Sequence, residues 1–385
     1  MKELVNSLKG DKVIWAFVAL LALFSFMSVF SASSNLAYKN NGSGNTFTYL
    51  LKHAAQFLVG FFILYKIHKV PYHYFKTISK ILLPVVWGLL IYTLLKGTII
   101  EGANASRWIQ IPFIGITFQT SALASIVLYV YVAHYLSKKR ETPITFQNSL
   151  WELWTPVFIT LIFILPANFS TAALIFSMVI MLVFIGKYPL KYIGVILGAG
   201  AIGLLFFVIV AITFPDAFPN RVDTWIARID NFATDKPDED DYQIEKAKIA
   251  IASGGLYGLG PGKSVQKNFL PQSSSDFIYA IIIEEYGYAG GLFLLLLYMT
   301  LLYRAFSIVL RTENSLAALL AIGLSFSLVV QALINMGVAV NILPVTGLAL
   351  PIVSRGGTSI LFVSIAFGII LSASRTVYTD KEDAE

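Results

Sequence analysis

The sequence predicts an all-α integral membrane protein with about ten transmembrane helices and one long extracytoplasmic loop between the seventh and eighth. Hydrophobic residues fill 57% of the 385 positions and charged residues only 13%, whereas soluble domains are about half apolar and about a quarter charged. A helix needs roughly 20 apolar residues to cross the hydrocarbon core of a bilayer. Ten such apolar runs lie near residues 13–32, 51–67, 78–95, 116–136, 151–166, 170–186, 190–214, 277–303, 315–337 and 357–374.

Basic residues mark alternate connections between these runs. They are Lys2, Lys9 and Lys12; Lys66, Lys69, Lys76 and Lys80; Lys138, Lys139 and Arg140; Lys187 and Lys191; Arg304 and Arg311; and Arg375 and Lys381 after the last run. Cytoplasmic loops carry an excess of Lys and Arg, so these loops and both termini are expected in the cytoplasm. The first run is longer than a signal-peptide core, which favours an uncleaved span, with cleavage at the small residues Ser31, Ala32 and Ser33 as the alternative. A single polytopic domain is expected over residues 1–385.

Composition excludes several classes of function. The net charge is +6, but the basic residues are scattered rather than gathered on one polar face, so a nucleic-acid partner is not expected. The chain has no cysteine and therefore no disulfide, thiol nucleophile or thiolate metal site. Its four histidines lack the spacing of metal ligands. No internal repeat is evident, which weakens an interpretation as a secondary transporter.

The predicted outer loop spans residues 215–275 and contains an acidic run, DKPDEDD, from Asp235 to Asp241. A run of like charges without apolar periodicity is typical of a solvated, mobile loop. The alternative is a divalent-cation site, and no other cofactor is implied by the residues.

A glycine-rich turn follows, with the sequence GLGPGKS from Gly258 to Ser264. It does not fit a nucleotide P-loop, because that motif requires glycine where Tyr257 stands. Glycines do let backbone amides approach an anion, and Lys263 and Lys267 add positive charge suited to a lipid diphosphate. The alternative is an ordinary loop with solvated lysines.

Three carboxylates lie at or inside the eighth apolar run. Asp276 directly precedes it, where it could cap the helix or, at the outer membrane boundary, take a proton from a sugar hydroxyl. Glu284 and Glu285 lie within the run, and a charge exposed to lipid is costly. These two residues are therefore expected to face a cavity or a partner, or to order the helix bundle through internal hydrogen bonds.

Two arginines are predicted at the outer face, Arg107 before the fourth span and Arg355 before the last. The planar guanidinium group suits phosphate oxygens, although arginines at this depth also extend to lipid headgroups. Ser354 and Arg355 belong to a segment with two prolines and three glycines, Asn341–Ser359. Irregular backbone in a membrane is tolerated where it is buried or lines a water-filled cavity, so this segment is a candidate wall of a site.

Two of these stretches resemble the SEDS family (shape, elongation, division and sporulation). They are FLPQSSSDFIYAIIIEEYGYAGG from Phe269 to Gly291 and NILPVTGLALPIVSRGGTS from Asn341 to Ser359. The Ser-Arg-Trp-Ile element ending at Ile109 and the long loop before the eighth span complete the match over nearly the whole chain. The run GKSVQK from Gly262 to Lys267 is more similar to the FtsW division branch than to the RodA elongation branch.

The chain departs from the family pattern at three places. The usual Gln-Pro-Ser-Glu followed by Lys is replaced by Gln119–Ala122 and Ser125, the usual Pro-Asp-x-Gly-Thr by Ala167–Thr171, and the usual Tyr before Gly-Gly by Arg355. Roles that depend on the missing Glu, Lys or Asp cannot be transferred to this chain.

The resemblance implies a peptidoglycan glycosyltransferase of the bacterial cytoplasmic membrane that polymerises lipid II, releases undecaprenyl diphosphate and serves cell division. It implies a class B penicillin-binding protein as partner, together with other divisome or elongasome proteins. Asp276 would be the catalytic carboxylate. The expected substrate-binding residues are Arg107, Lys263, Lys267, Glu285, Ser354 and Arg355. The alternatives are a lipid II flippase and a divisome scaffold without activity.

Overall fold

The fold was derived from a computed structural model that describes residues 8–41, 46–97, 107–110, 117–140, 142–213, 239–270, 273–355 and 357–377. Several features expected from the sequence lie wholly or partly outside these ranges: the first basic residues, residues 103–106, most of the acidic run, Lys381 and the loop over 215–238. The helices are α1 (Lys12–Asn41), α2 (Thr46–Ile67), α3 (Tyr74–Lys96), α4 (Thr120–Lys138), α5 (Phe146–Ser149), α6 (Thr155–Ile164), α7 (Phe169–Ile185), α8 (Leu190–Thr213), α9 (Glu239–Gly254), α10 (Ile278–Arg311), α11 (Ser315–Ala339) and α12 (Ser359–Ser374).

Each of the ten predicted apolar runs lies on a helix, which confirms the all-α multi-pass fold. Among the described residues, seven helices are long and apolar enough to cross a membrane: α1, α2, α3, α4, α8, α10 and α11. Helices α7 and α12 are apolar but shorter. The fifth run lies on a π-helical turn, Leu150–Trp154, and on α6, and the turn joins α5 and α6 into one helical stretch.

The connections contain little regular structure within the described ranges. Strands β1 (Trp108–Gln110) and β2 (Thr117–Gln119) pair antiparallel just before α4. The predicted outer loop contains α9 and a short 3₁₀ turn at Gln266–Asn268. Glu239–Asp241, which the acidic-run interpretation assigned to a loop, form the first turn of α9.

The chain divides into two compact units. The first contains the described parts of 1–75 and 239–385, and the second those of 76–238. The proposed single domain over 1–385 stays a prediction. In the second unit, the buried hydroxyl of Tyr188 bonds Ser149 Oγ at 2.5 Å and accepts from Trp154 Nε1 at 3.1 Å, which ties the start of the α5–α6 stretch to the turn after α7.

Aromatic packing holds the centre of the first unit. The ring of Phe17 on α1 lies 5.8 Å from that of Tyr298 on α10 and 5.8 Å from that of Phe367 on α12. The hydroxyl of Tyr298 donates to the carbonyl of Pro351 at 2.5 Å. A buried tyrosine hydroxyl needs such a partner, so this bond also attaches the proline–glycine segment to the helix core.

A buried ion pair joins three helices of the first unit, near the start of α1 and the ends of α10 and α12. The carboxylate of Asp11, just before α1, contacts Arg304 on α10, with Oδ2 at 2.5 Å from Nη2 and 2.7 Å from Nε. Its Oδ1 caps α1 by accepting from Val13 N at 2.8 Å, and the Asp11 amide donates to Ser374 Oγ at 3.0 Å. Asp11 therefore fixes the start of α1 against α10 and the end of α12.

Helix α10 is broken at Gly287, where the backbone takes φ 70° and ψ −175°. The break exposes four backbone groups that an unbroken helix would bond internally. All four bond the segment 255–260 instead. The bonds are Leu259 N to Glu284 O at 2.9 Å, Gly260 N to Glu285 O at 2.9 Å, Tyr288 N to Gly255 O at 2.8 Å, and Ala289 N to Leu256 O at 3.2 Å.

This backbone-to-backbone pairing requires glycine on both sides. A Cβ atom on Gly258 would lie 2.2 Å from the carbonyl oxygen of Glu285, and one on Gly287 would lie 2.3 Å from that of Leu256. Both glycines also have positive φ, a conformation that other residues rarely adopt. The glycine-rich turn predicted from the sequence thus packs against the broken helix.

Replacement of Gly258 by Ala should lower the midpoint of thermal unfolding more than replacement of Gly255 by Ala. Gly255 also has positive φ, but a Cβ there meets nothing within 4 Å, so its substitution adds only backbone strain of about 1–2 kcal/mol. Gly258→Ala adds a clash with the α10 backbone. Equal shifts for the two variants, measured in detergent, would show that close approach to α10 is not the constraint.

Replacement of Asp11 by Asn should destabilise the protein, because Arg304 loses its buried counter-charge. The amide oxygen of Asn can still cap α1, so this variant isolates the loss of the ion pair. Breaking a buried ion pair by removing one partner costs roughly 3 kcal/mol or more. Glu152→Gln is the control, since it breaks the exposed Lys139–Glu152 pair, separated by 3.6 Å. An unfolding midpoint for Asp11→Asn no lower than that of the control contradicts this role.

Candidate functional site

Asp276 is half-buried and lies two residues before the start of α10. The N-cap position of α10 is occupied by Phe277, whose side chain makes no capping hydrogen bond. Asp276 is therefore not the N-cap residue itself, and its role stays a prediction.

The backbone around Asp276 is fixed through three consecutive carbonyl oxygens. The bonds run from Arg355 N to Ser274 O at 2.8 Å, from Ser354 Oγ to Ser275 O at 2.6 Å, and from Asn335 Nδ2 to Asp276 O at 2.8 Å. Two of the donors belong to the proline–glycine segment and one to α11. These elements place Asp276 at a defined position beside the segment predicted to form a wall of the site.

The proline–glycine segment is itself held by polar contacts in its interior. Ser354 Oγ accepts from Leu350 N at 2.8 Å while it donates to Ser275. Ile352 between them has φ 67°, which is uncommon for a β-branched residue. Ser25 Oγ on α1 donates to Val353 O at 3.1 Å. Residues 350–354 of the segment are thus buried irregular backbone, held by hydrogen bonds from protein groups, as buried backbone in a membrane requires.

Glu284 binds the glycine-rich turn as an internal anion. Its side chain is buried, with only 1% of the residue exposed. The carboxylate accepts a hydrogen bond from the Ser264 hydroxyl and bonds the amides of Val265 at 3.0 Å and Gln266 at 3.2 Å. The amides that bond Glu284 belong to the two residues after the predicted turn Gly258–Ser264, and binding of a lipid diphosphate by that turn stays a prediction.

Glu285 is equally buried and is bonded by a different set of groups. Its Oε1 accepts from the hydroxyl of Ser31 on α1 and lies 3.4 Å from Ser264 N. Lys267 Nζ donates to Ser31 Oγ at 3.2 Å and to Gly262 O at 2.7 Å. Ser31 therefore links the ammonium group of Lys267 to the carboxylate of Glu285.

The structure brings six of the predicted site residues into the first unit: Asp276, Lys263, Lys267, Glu285, Ser354 and Arg355. Lys263 is exposed on the glycine-rich turn, and Arg355 is half-buried. Their roles in binding stay predictions.

Arg107 lies in the second unit, where its Nε donates to the carbonyl of Ala167 at 3.1 Å. It lines a pocket together with Thr93, Thr120, Ser121 and Asn168. Asn168 is the N-cap of α7 and accepts from Thr171 N at 3.1 Å. At this departure from the family pattern, the amide oxygen of Asn performs the capping for which a carboxylate is also suited.

Sequence reasoning did not identify Asn335 or Ser31. Asn335 had a detectable signal, because an amide inside an apolar span needs a hydrogen-bonding partner. Ser31 had none, since small hydroxyl residues are common in membrane helices.

The described residues contain no group of three or more His, Cys, Asp and Glu side chains placed to hold a metal ion. Most of the acidic run proposed as an alternative cation site lies outside the described part of the chain. That alternative stays a prediction.

Comparison with known proteins assigns the family. The model of a family described as cell cycle protein, and named for FtsW, RodA and SpoVE, matches residues 11–379. The chain belongs to this family. The SEDS resemblance, and its preference for FtsW, are thereby confirmed.

Relatives of the FtsW–RodA–SpoVE family align over almost the full chain. A protein of Geobacter sulfurreducens named probable peptidoglycan glycosyltransferase FtsW is 30% identical over 370 residues, covering 94% of this chain and 95% of its own. Stage V sporulation protein E of Bacillus subtilis is 29% identical over 370 residues, covering 95% and 97%.

Two solved structures share the fold. The first is a chain of a structure described as the structural coordination of polymerization and crosslinking by a peptidoglycan synthase complex. It has a TM-score of 0.72 at 22% identity, and the match covers 96% of this chain and 99% of that one. RodA of Thermus thermophilus has a TM-score of 0.69 at 22% identity, covering 97% and 99%.

Replacement of Glu284 by Gln should release the turn at 264–266. The variant keeps one acceptor oxygen, but its NH₂ group would face backbone N–H donors and cannot accept from them. Each lost hydrogen bond to a charged group is worth about 1.5–3 kcal/mol. Hydrogen exchange of the Val265 and Gln266 amides should therefore accelerate roughly tenfold or more. Glu245→Gln on the exposed part of α9 is the control. Unchanged exchange in Glu284→Gln would mean that Glu284 does not hold the turn.

Proposed function

We propose that this chain polymerises lipid II into glycan strands at the outer face of the cytoplasmic membrane during cell division. Relatives that align over nearly its whole length are named probable peptidoglycan glycosyltransferases, and the chain is an enzyme of that class. One structural observation carries the assignment to a site: Asp276 is a half-buried carboxylate whose backbone is fixed by Arg355, Ser354 and Asn335.

In the proposed reaction, Asp276 acts as general base. Its carboxylate takes the proton of a sugar hydroxyl on the acceptor as that oxygen forms a bond to the anomeric carbon of the donor. The bond between the anomeric carbon and the diphosphate oxygen breaks, and undecaprenyl diphosphate leaves with the bonding electrons. The proton remains on Asp276 until it passes to solvent.

Stabilisation of the leaving diphosphate requires positive charge. In the first unit, Lys263 is exposed on the glycine-rich turn, and Lys267 lies in the 3₁₀ turn that follows, Gln266–Asn268. Arg355 follows Ser354, whose hydroxyl fixes the backbone beside Asp276. Glu285 helps to shape this region through Ser31. Arg107 is a further candidate for phosphate binding, on the basis of its sequence motif.

Charge also supports the orientation in the membrane. Within the first unit, Arg304, Arg311, Lys66 and Arg375 lie at the ends of α10, α2 and α12 opposite to the Asp276 end of α10. Because cytoplasmic ends are enriched in Lys and Arg, we assign this basic end and both termini to the cytoplasm, and Asp276 to the outer side.

A class B penicillin-binding protein is the proposed partner, since polymerised glycan must be cross-linked. The similarity to a chain of a peptidoglycan synthase complex supports this pairing. We expect other divisome proteins to bind the same assembly.

Replacement of Asp276 by Asn or Ala should lower the rate of polymerisation by about 100- to 10,000-fold, the usual contribution of a general base. The assay follows glycan formed from purified lipid II by the full chain with its penicillin-binding partner. Glu313→Gln, which alters an exposed carboxylate at the basic end, is the control and should keep the parent rate.

Other outcomes favour the alternatives. Parent-like polymerisation by Asp276→Ala excludes Asp276 as the base. Translocation of lipid II across vesicles by the parent chain, without glycan formation, indicates a flippase. Neither activity in the parent complex indicates a scaffold.

A further inference from the structure

Asn335 on α11 makes an unusual pair of contacts beneath Asp276. The residue is 1% exposed. Its Nδ2 donates to the carbonyl oxygen of Asp276 at 2.8 Å and to that of Leu348 at 2.8 Å. An amide NH₂ group has two protons, so both are used. The two carbonyl partners also fix the orientation of the amide, because an oxygen in that place could not donate.

The carbonyl oxygen of the Asn335 side chain, unlike its NH₂ group, makes no such hydrogen bond within the described part of the chain. Asn335 Oδ1 is buried and has no hydrogen-bonding partner among the described residues. A buried unsatisfied acceptor is destabilising, and leucine, which branches at the same carbon, would not carry it. The contribution of Asn335 therefore lies in the two carbonyls that it holds.

These carbonyls belong to the elements that define the proposed site. Asp276 carries the carboxylate, and Leu348 lies in the proline–glycine segment that bonds residues 274 and 275. Phe277 at the N-cap of α10 makes no capping hydrogen bond with its own side chain, and the bond from Asn335 to the Asp276 carbonyl helps to hold the start of this helix. Asn335 thus connects the backbone of Asp276, the proposed base, to Leu348 in the segment proposed as a wall of the site.

We propose that Asn335 is a positioning residue for the polymerase reaction, which fixes the backbone of Asp276 so that its carboxylate meets the acceptor hydroxyl. The inference rests on the proposed function of Asp276. Reacting atoms must approach to about 3–3.5 Å, and a misplacement of about 1 Å can lower the rate about a hundredfold. Asn335 acts through Asp276, not through contact with the substrate.

The same helix offers a matched control. Gln331 lies four residues earlier on α11, and its Nε2 donates to Ala349 O at 2.8 Å. Gln331 thus holds the same proline–glycine segment through a similar bond, but its bond does not reach Asp276. Comparison of variants at the two residues therefore separates the effect of holding the proline–glycine segment from the effect of holding the backbone of Asp276.

The experiment compares Asn335→Leu and Gln331→Leu in the full chain with its penicillin-binding partner. The measured quantities are kcat and KM for lipid II and the midpoint of thermal unfolding. We expect kcat to fall about 10- to 100-fold in Asn335→Leu, with KM changed less than about twofold, because the loss is one of geometry in the transition state. Gln331→Leu should keep kcat within about threefold of the parent. Both variants should still fold but unfold below the parent midpoint, because each leaves backbone carbonyls without a donor.

Several results would overturn the proposal. They are equal losses of kcat in the two variants, or a raised KM with unchanged kcat in Asn335→Leu. If Asn335→Leu does not fold, Asn335→Ala is tested in the same assay, and failure of both to fold would make Asn335 a residue of the fold alone. Asp276→Ala is measured in parallel: if it polymerises at the parent rate, the assignment of the base has failed, whereas an inactive Asp276→Ala with parent-like Asn335→Leu rejects only the positioning role.

Discussion

Backbone amides and carbonyls inside a membrane protein must be bonded by protein, and this constraint governs the first unit. The break of α10 at Gly287 leaves four such groups without helical partners, and the segment 255–260 bonds all of them. That pairing brings the glycine-rich turn against α10. It requires glycine at 258 and 287 because the two backbones approach too closely for a Cβ atom. The position of the turn is therefore a consequence of the broken helix.

The same arrangement determines how the acidic residues of α10 are used. Glu284 and Glu285 directly precede the break, and successive helical residues point about 100° apart. Glu284 bonds the amides of the turn, while Glu285 bonds Ser31 on α1 and, through it, Lys267. Both charges thus hold elements of the unit together. Asp276 differs because hydrogen bonds from Asn335 and the proline–glycine segment fix its backbone, which suits the catalytic role proposed for its carboxylate.

The sequence predicted the spans well because each depends on a local property, the length of an apolar run. Binding of a lipid diphosphate by the glycine-rich turn stays a prediction. The bonds from Ser264, Val265 and Gln266 to Glu284 were not predicted, since Glu284 lies 20 residues after Ser264 and reaches it only through the break at Gly287. Asn335 was missed for a similar reason. Its two partners, Asp276 and Leu348, lie in segments that only the packing of α11 brings together. Long-range contacts of single polar side chains carry no periodic signal.

In the first unit, the buried charges of Glu284 and Glu285 are bonded by other protein groups. The departures from the family pattern in α4 likewise leave no charge without a partner. The family places Glu and Lys where this chain has Ala122 and Ser125, three residues apart and hence on one helix face. Both charges are absent together at these half-buried positions, so neither is left without an oppositely charged neighbour on the helix. Ser125 Oγ donates to Ala122 O at 2.9 Å, and its polarity is satisfied within the helix. The chemistry proposed for Asp276 therefore has to proceed without an ion pair at these positions of α4.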